Sequence, residues 1–215
     1  PKGSFHGLLG PNGAGKTTTI GIITGLVNIT EGSVSIMGFD SVKEFRKARR
    51  LIGLSPQELN FDVFFSVAEL LELQAGYYGL ASKAAKARTT LMLEQFGLTE
   101  KRNARSRELS GGMKRRVQIA KALVHDPPII ILDEPTAGVD IELRHMLWDY
   151  LRQINQEGKT ILLTTHYIEE AEKLCETVSI IDDGNIIITD SPENLTHSHG
   201  MSGLEITLSS KLDNL

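Results

Sequence analysis

The sequence carries one cysteine, Cys175, in 215 residues. That excludes an internal disulfide and suits a reducing compartment. An excess of basic residues is also missing: 23 Lys+Arg stand against 27 Asp+Glu, a formal net charge of −4. This argues against a general nucleic-acid binder. Long apolar runs are absent. The longest, "PPIIIL" at 127–132 and "TILLTT" at 160–165, have the length of buried strands and fall far short of the roughly 20 residues of a membrane span. There is no internal repeat and no low-complexity tract. Pro1-Lys2-Gly3-Ser4 leads straight into a strand pattern, so a signal peptide is not expected here. The chain is long enough for one full core, or for a core with a small subdomain, and the expectation is a soluble cytosolic α/β protein.

Short β-rich apolar runs alternate with segments of helical period, the pattern of a mixed, largely parallel sheet flanked by helices. Strands are expected at Phe5–Leu9, Ser33–Met37, Ile52–Ser55, Ile129–Asp133, Ile161–Thr165, Val178–Ile181 and Ile186–Thr189. The turn-rich Asp182-Asp183-Gly184-Asn185 makes the last two a hairpin. Between Asp62 and His125 the strand signal vanishes. Ser66-Val-Ala-Glu69 is a capping box, a second helix is expected over Ser82–Phe96, stopped by Gly97, and a third begins at Ser110. Residues 62–125 therefore read as a helical subdomain inserted in one domain covering 1–215. After Pro192 the pattern weakens, and "THSHG" at 196–200 reads as a loop.

Gly10-Pro11-Asn12-Gly13-Ala14-Gly15-Lys16-Thr17 fits G-x-x-x-x-G-K-[ST], the phosphate-binding loop. An apolar strand precedes it, and Thr18–Leu26 can form the helix that follows. The glycines let the backbone curl so that successive N–H groups face phosphate oxygens, and the helix N-terminus adds about half a positive charge. Lys16 brings a full charge, and the Thr17 hydroxyl is a hard oxygen suited to Mg2+. The expected ligand is a nucleoside triphosphate with Mg2+. Further along, "IIILDEP" at 129–135 delivers Asp133 at a strand end, where a carboxylate reaches the metal shell. Period-two alternation is expected to aim Glu134 elsewhere, as a base for an attacking water.

Taken together these residues resemble the ATP-binding subunits of ABC transporters, across nearly the whole chain. Five motifs stand in that family's order: the phosphate loop at 10–17, Gln57 in "LSPQE", "LSGGM" at 109–113, "IIILDEP" at 129–135 and His166 in "TTHYIEEAE". "LSGGMKRR" and "EPTAGVD" are most similar to ATPase subunits of bacterial drug and antibiotic exporters. The resemblance implies a P-loop NTPase fold, with ATP bound at Gly10–Thr17 and the neighbouring Thr18, and Mg2+ held by Thr17, Gln57 and Asp133. It implies Glu134 as catalytic base, Gln57 beside the attacking water, and His166 on the γ-phosphate. Ser110, Gly111 and Gly112 would bind the ATP held by a second copy in a head-to-tail dimer, with Asp140 at the seam. A helix N-terminus with bare donors at Ser110–Gly112 agrees with an anion surface, and two-fold symmetry would let two copies share two ATP molecules. The implied partner is an integral-membrane permease, on which the chain would dock at the cytoplasmic face through the surface near Gln57–Phe65 and the helix from Ser66, where "ELNFDVFF" exposes apolar bulk.

Two departures from the family are visible. Met113 stands where Gln is usual and cannot complete a capping box on Ser110. Family members also carry further N-terminal strands with an aromatic residue on adenine, whereas here the chain begins 15 residues before Lys16; a truncated chain with weakened base stacking is expected. "RKARR" at 46–50 and "KRR" at 114–116 read as solvated helix faces. Leu143, Leu147, Leu151 and Ile154 form a helical stripe for the core. The remaining histidines read as structural or solvated. A competing class is a non-transport ATPase of the same superfamily acting on a macromolecular complex; a nucleotide-binding switch with little turnover is a third.

Overall fold

The computed structural model describes residues 1–199. In chain order the elements are β1 (Phe5–Leu9), α1 (Lys16–Thr24), β2 (Ser35–Ile36), β3 (Phe39–Asp40), α2 (Phe45–Arg50), β4 (Ile52–Ser55), α3 (Val67–Tyr77), α4 (Ser82–Gln95), α5 (Gly111–Leu123), β5 (Ile129–Asp133), α6 (Ile141–Gln156), β6 (Thr160–Thr165), α7 (Ile168–Leu174), β7 (Thr177–Asp182), β8 (Asn185–Asp190) and α8 (Pro192–His199). The main sheet has six strands in the order β4-β5-β6-β1-β7-β8. All its pairings are parallel except β7 with β8. The expected P-loop-type α/β architecture is found.

Alternation explains how each strand serves both faces. Ile130 and Leu132 pack with Phe5, Leu163, Val117 and Leu147 on one side, while Ile131 packs with Ile20, Ala48 and Ile52 on the other. The stripe Leu143, Leu147, Leu151 and Ile154 of α6 is buried in the larger core, as expected. The strand ends facing the phosphate loop are left polar, which is where a site in such a sheet lies.

Most expected strands are found within one residue at either end. Ser33–Met37 is the exception. Only Ser35–Ile36 is extended there, because Met37 (φ 48°) and Gly38 (φ 90°) turn the chain back into β3 as a tight hairpin. Positive φ at both central residues is what such a two-residue turn demands. Asp183 (φ 45°) and Gly184 (φ 77°) make the expected β7–β8 hairpin by the same means. The Ser66 capping box on α3 is present in full. Ser110 caps α5 from Met113 N–H alone, with no return bond from Met113. Residues 196–199, expected as loop, are instead the end of α8, which Ser191 opens by accepting from Asn194 N–H; Gly200 lies outside the described residues. Between β4 and β5 the described chain contributes no strand to either sheet.

His125 follows α5 and stacks on Tyr78 at 3.5 Å, with its Nε2 3.1 Å from the Ile52 carbonyl. Burial pushes its pKa down to about 4, against the opposing pull of that carbonyl. The ring is therefore neutral when folded and takes up a proton on unfolding at pH values between about 4 and 6.5. Stability from this group is complete above about pH 6.5 and is lost as pH falls through about 4. Melting temperature should fall over this window, and the fall should be shallower in His125→Gln; equal slopes would contradict the assignment. Burial and the nearby Glu170 and Glu176 push the Cys175 thiol up to about 12, so it stays protonated at neutral pH.

Candidate functional site

The phosphate loop is built by close approach and by two left-handed glycines. A methyl group on Gly10 would lie 2.4 Å from the Ile181 carbonyl, so only glycine lets the loop leave β1 against β7. Gly15, at φ 103°, turns the chain into α1, a conformation costly for a side-chain-bearing residue. The loop is then pinned from outside, because Gly184 N–H of the β7–β8 turn donates to the Ala14 carbonyl at 2.9 Å. Ala14 and Lys16 are buried, whereas Pro11, Asn12, Gly13, Thr17 and Thr18 are exposed. The loop thus offers its backbone outward and keeps its lysine within.

Lys16 Nζ donates to the Gly10 carbonyl at 2.7 Å and the Pro11 carbonyl at 3.1 Å, and lies 3.5 Å from Glu134 Oε1. Thr17 Oγ1 donates to Asp133 Oδ2 at 3.0 Å. The other Asp133 oxygen accepts from Thr164 of β6, whose register places it directly opposite Asp133. Thr17 and Asp133 set a hydroxyl and a carboxylate oxygen side by side. No cluster of three or more His, Cys, Asp or Glu side chains able to hold a metal occurs among the described residues. A pair of hard oxygens that leaves the remaining positions to phosphate and water fits Mg2+, which keeps much of its hydration.

The alternation expected at Glu134 does not hold. The strand ends at Asp133, and Glu134 takes φ 47°, with its N–H donating to both the carbonyl and the hydroxyl of Thr164 at 3.1 Å. That left-handed turn aims Glu134 back into the cluster instead of away from it. Its Oε2 accepts from Gln57 Nε2 at 3.1 Å and lies 3.3 Å from His166 Nδ1. Lys16, Gln57 and His166, from three separate segments, therefore meet at the one carboxylate of Glu134. A non-glycine residue held at positive φ and 6% exposed is a strained, over-determined position of the kind found at functional sites.

The second group of residues named from the sequence lies apart from this cluster. Ser110 and Gly111 are exposed at the N-terminus of α5 and Gly112 is half-buried. Asp140 caps α6, accepting from Leu143 N–H at 2.8 Å. A methyl group on Gly112 would lie 3.9 Å from Asp140 Oδ2, so the two segments are neighbours. Among the described residues, no hydrogen bond or ion pair joins Ser110–Gly112 to Lys16, Asp133 or Glu134 of the same chain. Thr164 was missed from the sequence; it organises both Asp133 and Glu134. Its only signal is its place two residues before His166, and the sequence does not reveal that β6 lies beside β5.

Residues 1–137 match the family model described as ABC transporter. The Nod factor export ATP-binding protein I of Burkholderia orbicola is 44% identical over 205 residues, covering 95% of this chain and 67% of that protein. Its counterpart in Burkholderia pseudomallei is 45% identical over the same length. The chain thus spans about two thirds of these relatives, 67% of each. Among solved structures, an ATP-binding subunit of an ABC transporter superposes with a TM-score of 0.85 at 30% identity, covering 94% of this chain and 85% of the other. A dimeric post-hydrolysis state of the ATP-binding cassette MJ0796, bound to ADP and Pi, gives 0.82 at 30% identity, covering 89% and 87%. With a family model over more than half its length and relatives of this identity, the chain belongs to the ABC transporter family.

Proposed function

We propose that this chain binds Mg·ATP, hydrolyses it, and in a head-to-tail dimer of two copies powers a membrane exporter. The observation that carries the reading is the meeting of Lys16, Gln57 and His166 on the buried carboxylate of Glu134, beside the paired oxygens of Thr17 and Asp133. Export is supported by the relatives, which are named for Nod factor export. Dimerisation is supported by the dimeric state of the similar cassettes.

The residues divide the work. Gly10–Thr18 hold the triphosphate, with backbone N–H groups and the Lys16 ammonium on its phosphate oxygens. Lys16 is already poised, since its ammonium is turned into the loop by two backbone carbonyls. Thr17, Asp133 and Gln57 would hold Mg2+, which would neutralise phosphate charge. Glu134 accepts the proton of the attacking water, and Gln57 and His166 fix where that water and the γ-phosphate sit. Ser110, Gly111 and Gly112 of one copy complete the site of the other, with Asp140 at the seam. Loss of the γ-phosphate removes the charge that bridges them.

Residues 1–215 form one ATPase domain in this reading, with 62–125 as a helical insertion. No helix among the described residues is long and apolar enough to cross a membrane; in this reading the membrane-spanning work falls to a permease partner at the cytoplasmic face. Leu59, Val63, Phe64 and Phe65, exposed by 38%, 56%, 77% and 37%, are the apolar surface it would cover. Phosphate release by the full-length subunit should stop on chelation of Mg2+ and return on its addition. Asp133→Asn should cut turnover at saturating Mg2+ by about a hundredfold. Turnover indifferent to both would contradict the metal assignment.

A further inference from the structure

Two buried polar side chains of α5 take no part in the site described so far. Arg115 and Gln118 are 5% and 4% exposed, on a helix whose N-terminus is Ser110–Gly112. Gln118 Nε2 donates to the Pro56 carbonyl at 3.2 Å and to the Glu58 carbonyl at 2.8 Å. Arg115 Nη1 donates to the Pro56 carbonyl at 3.3 Å. The two accepting carbonyls belong to the residues on either side of Gln57. Residues 56–58 lie in no helix or strand, so these bonds from α5 tie down backbone that no regular structure holds.

The electrostatics agree. Burial lowers the pKa of the Arg115 guanidinium, while the negative charges of Asp133 and Glu134 oppose that fall. The cation is thus placed where it feels the carboxylates that Gln57 also serves. Gln118 lies eight residues beyond Ser110, about 12 Å along a helix, and a hydrogen-bonded helix of this length transmits displacement as a rod.

We propose that Gln118, assisted by Arg115, is a positioning residue that fastens the Gln57 loop to α5, so that Gln57 and the Ser110–Gly112 surface move as one body. With both flanking carbonyls held, the Gln57 side chain is what remains free to reach Glu134. Arrival of phosphate or water at Gln57 in one site is then felt at the anion surface that serves the other. The inference rests on the ATPase reading and extends it to two side chains outside the set assigned to nucleotide and metal.

The test uses the full-length subunit with Gln118→Met, which keeps volume and removes both donors. The expected result is a fall in kcat of about tenfold, the order of loss a slightly displaced group gives, with ATP affinity changed by less than about twofold. In a Gln57→Ala background the same substitution should have no further effect on kcat, because its influence passes through Gln57. A merely structural role would lower kcat by the same factor in both backgrounds, and that result, or an unchanged kcat in the single variant, overturns the inference. If Gln118→Met melts well below the unsubstituted protein, Arg115→Lys serves in its place, with the same direction and the same dependence on Gln57 expected. Absence of turnover in the unsubstituted subunit would overturn the ATPase reading, and this inference with it.

Discussion

A Glu134→Gln subunit is expected to bind Mg·ATP as tightly as the parent and to hydrolyse it slower by about a thousandfold, within the range a general base supplies. The carboxylate sits at the meeting point of Lys16, Gln57 and His166, and it is the member of that group able to take a proton as an anion. An amide keeps the shape and can still bond Gln57 and His166, so the surrounding geometry survives while the proton acceptor is lost. Removal of a negative charge from beside the γ-phosphate does not weaken binding. Phosphate release under saturating ATP, together with a nucleotide titration, separates the two effects. Turnover near that of the parent would remove Glu134 from the role of base.

Lys16→Ala is expected to do the opposite first. Binding should weaken by about 10- to 100-fold, the factor that follows from losing charge-assisted hydrogen bonds worth about 1.5–3 kcal/mol. Turnover is then lost because the nucleotide is not held. In the free protein the same ammonium balances Glu134, 3.5 Å away in a pocket that leaves both side chains less than a tenth exposed, so the variant also leaves that carboxylate without its nearest cation. A titration showing unchanged ATP affinity would contradict the assignment of Gly10–Thr17 to the phosphates.

The parts of this molecule that the sequence made legible are those governed by local chemistry. Strand runs such as Ile129–Asp133, the Ser66-to-Glu69 capping box and the glycine pattern of residues 10–17 each depend on neighbours within a few positions, and each is found where expected. What stayed hidden depends on how distant segments pack. The left-handed turn at Glu134 breaks the alternation because Thr164, a strand away, binds its N–H. The hold of Gln118 and Arg115 on the carbonyls beside Gln57 joins residues about 60 positions apart, and an amphipathic helix reads the same with or without it. The ends of secondary structure were lost where capping was irregular, as at α8, which Ser191 opens after a segment with weak periodicity.

If one Mg·ATP is gripped between the phosphate loop of one copy and Ser110–Gly112 of another, nucleotide binding and pairing of copies are a single event. The most direct measurement is the mass of full-length Glu134→Gln in solution with and without Mg·ATP, by light scattering or sedimentation. One copy is expected without nucleotide, two copies with it, and loss of the pair when Gly111→Asp places a like charge against the γ-phosphate. A protein that stays a single copy with saturating Mg·ATP bound, both alone and with its membrane partner, would contradict it.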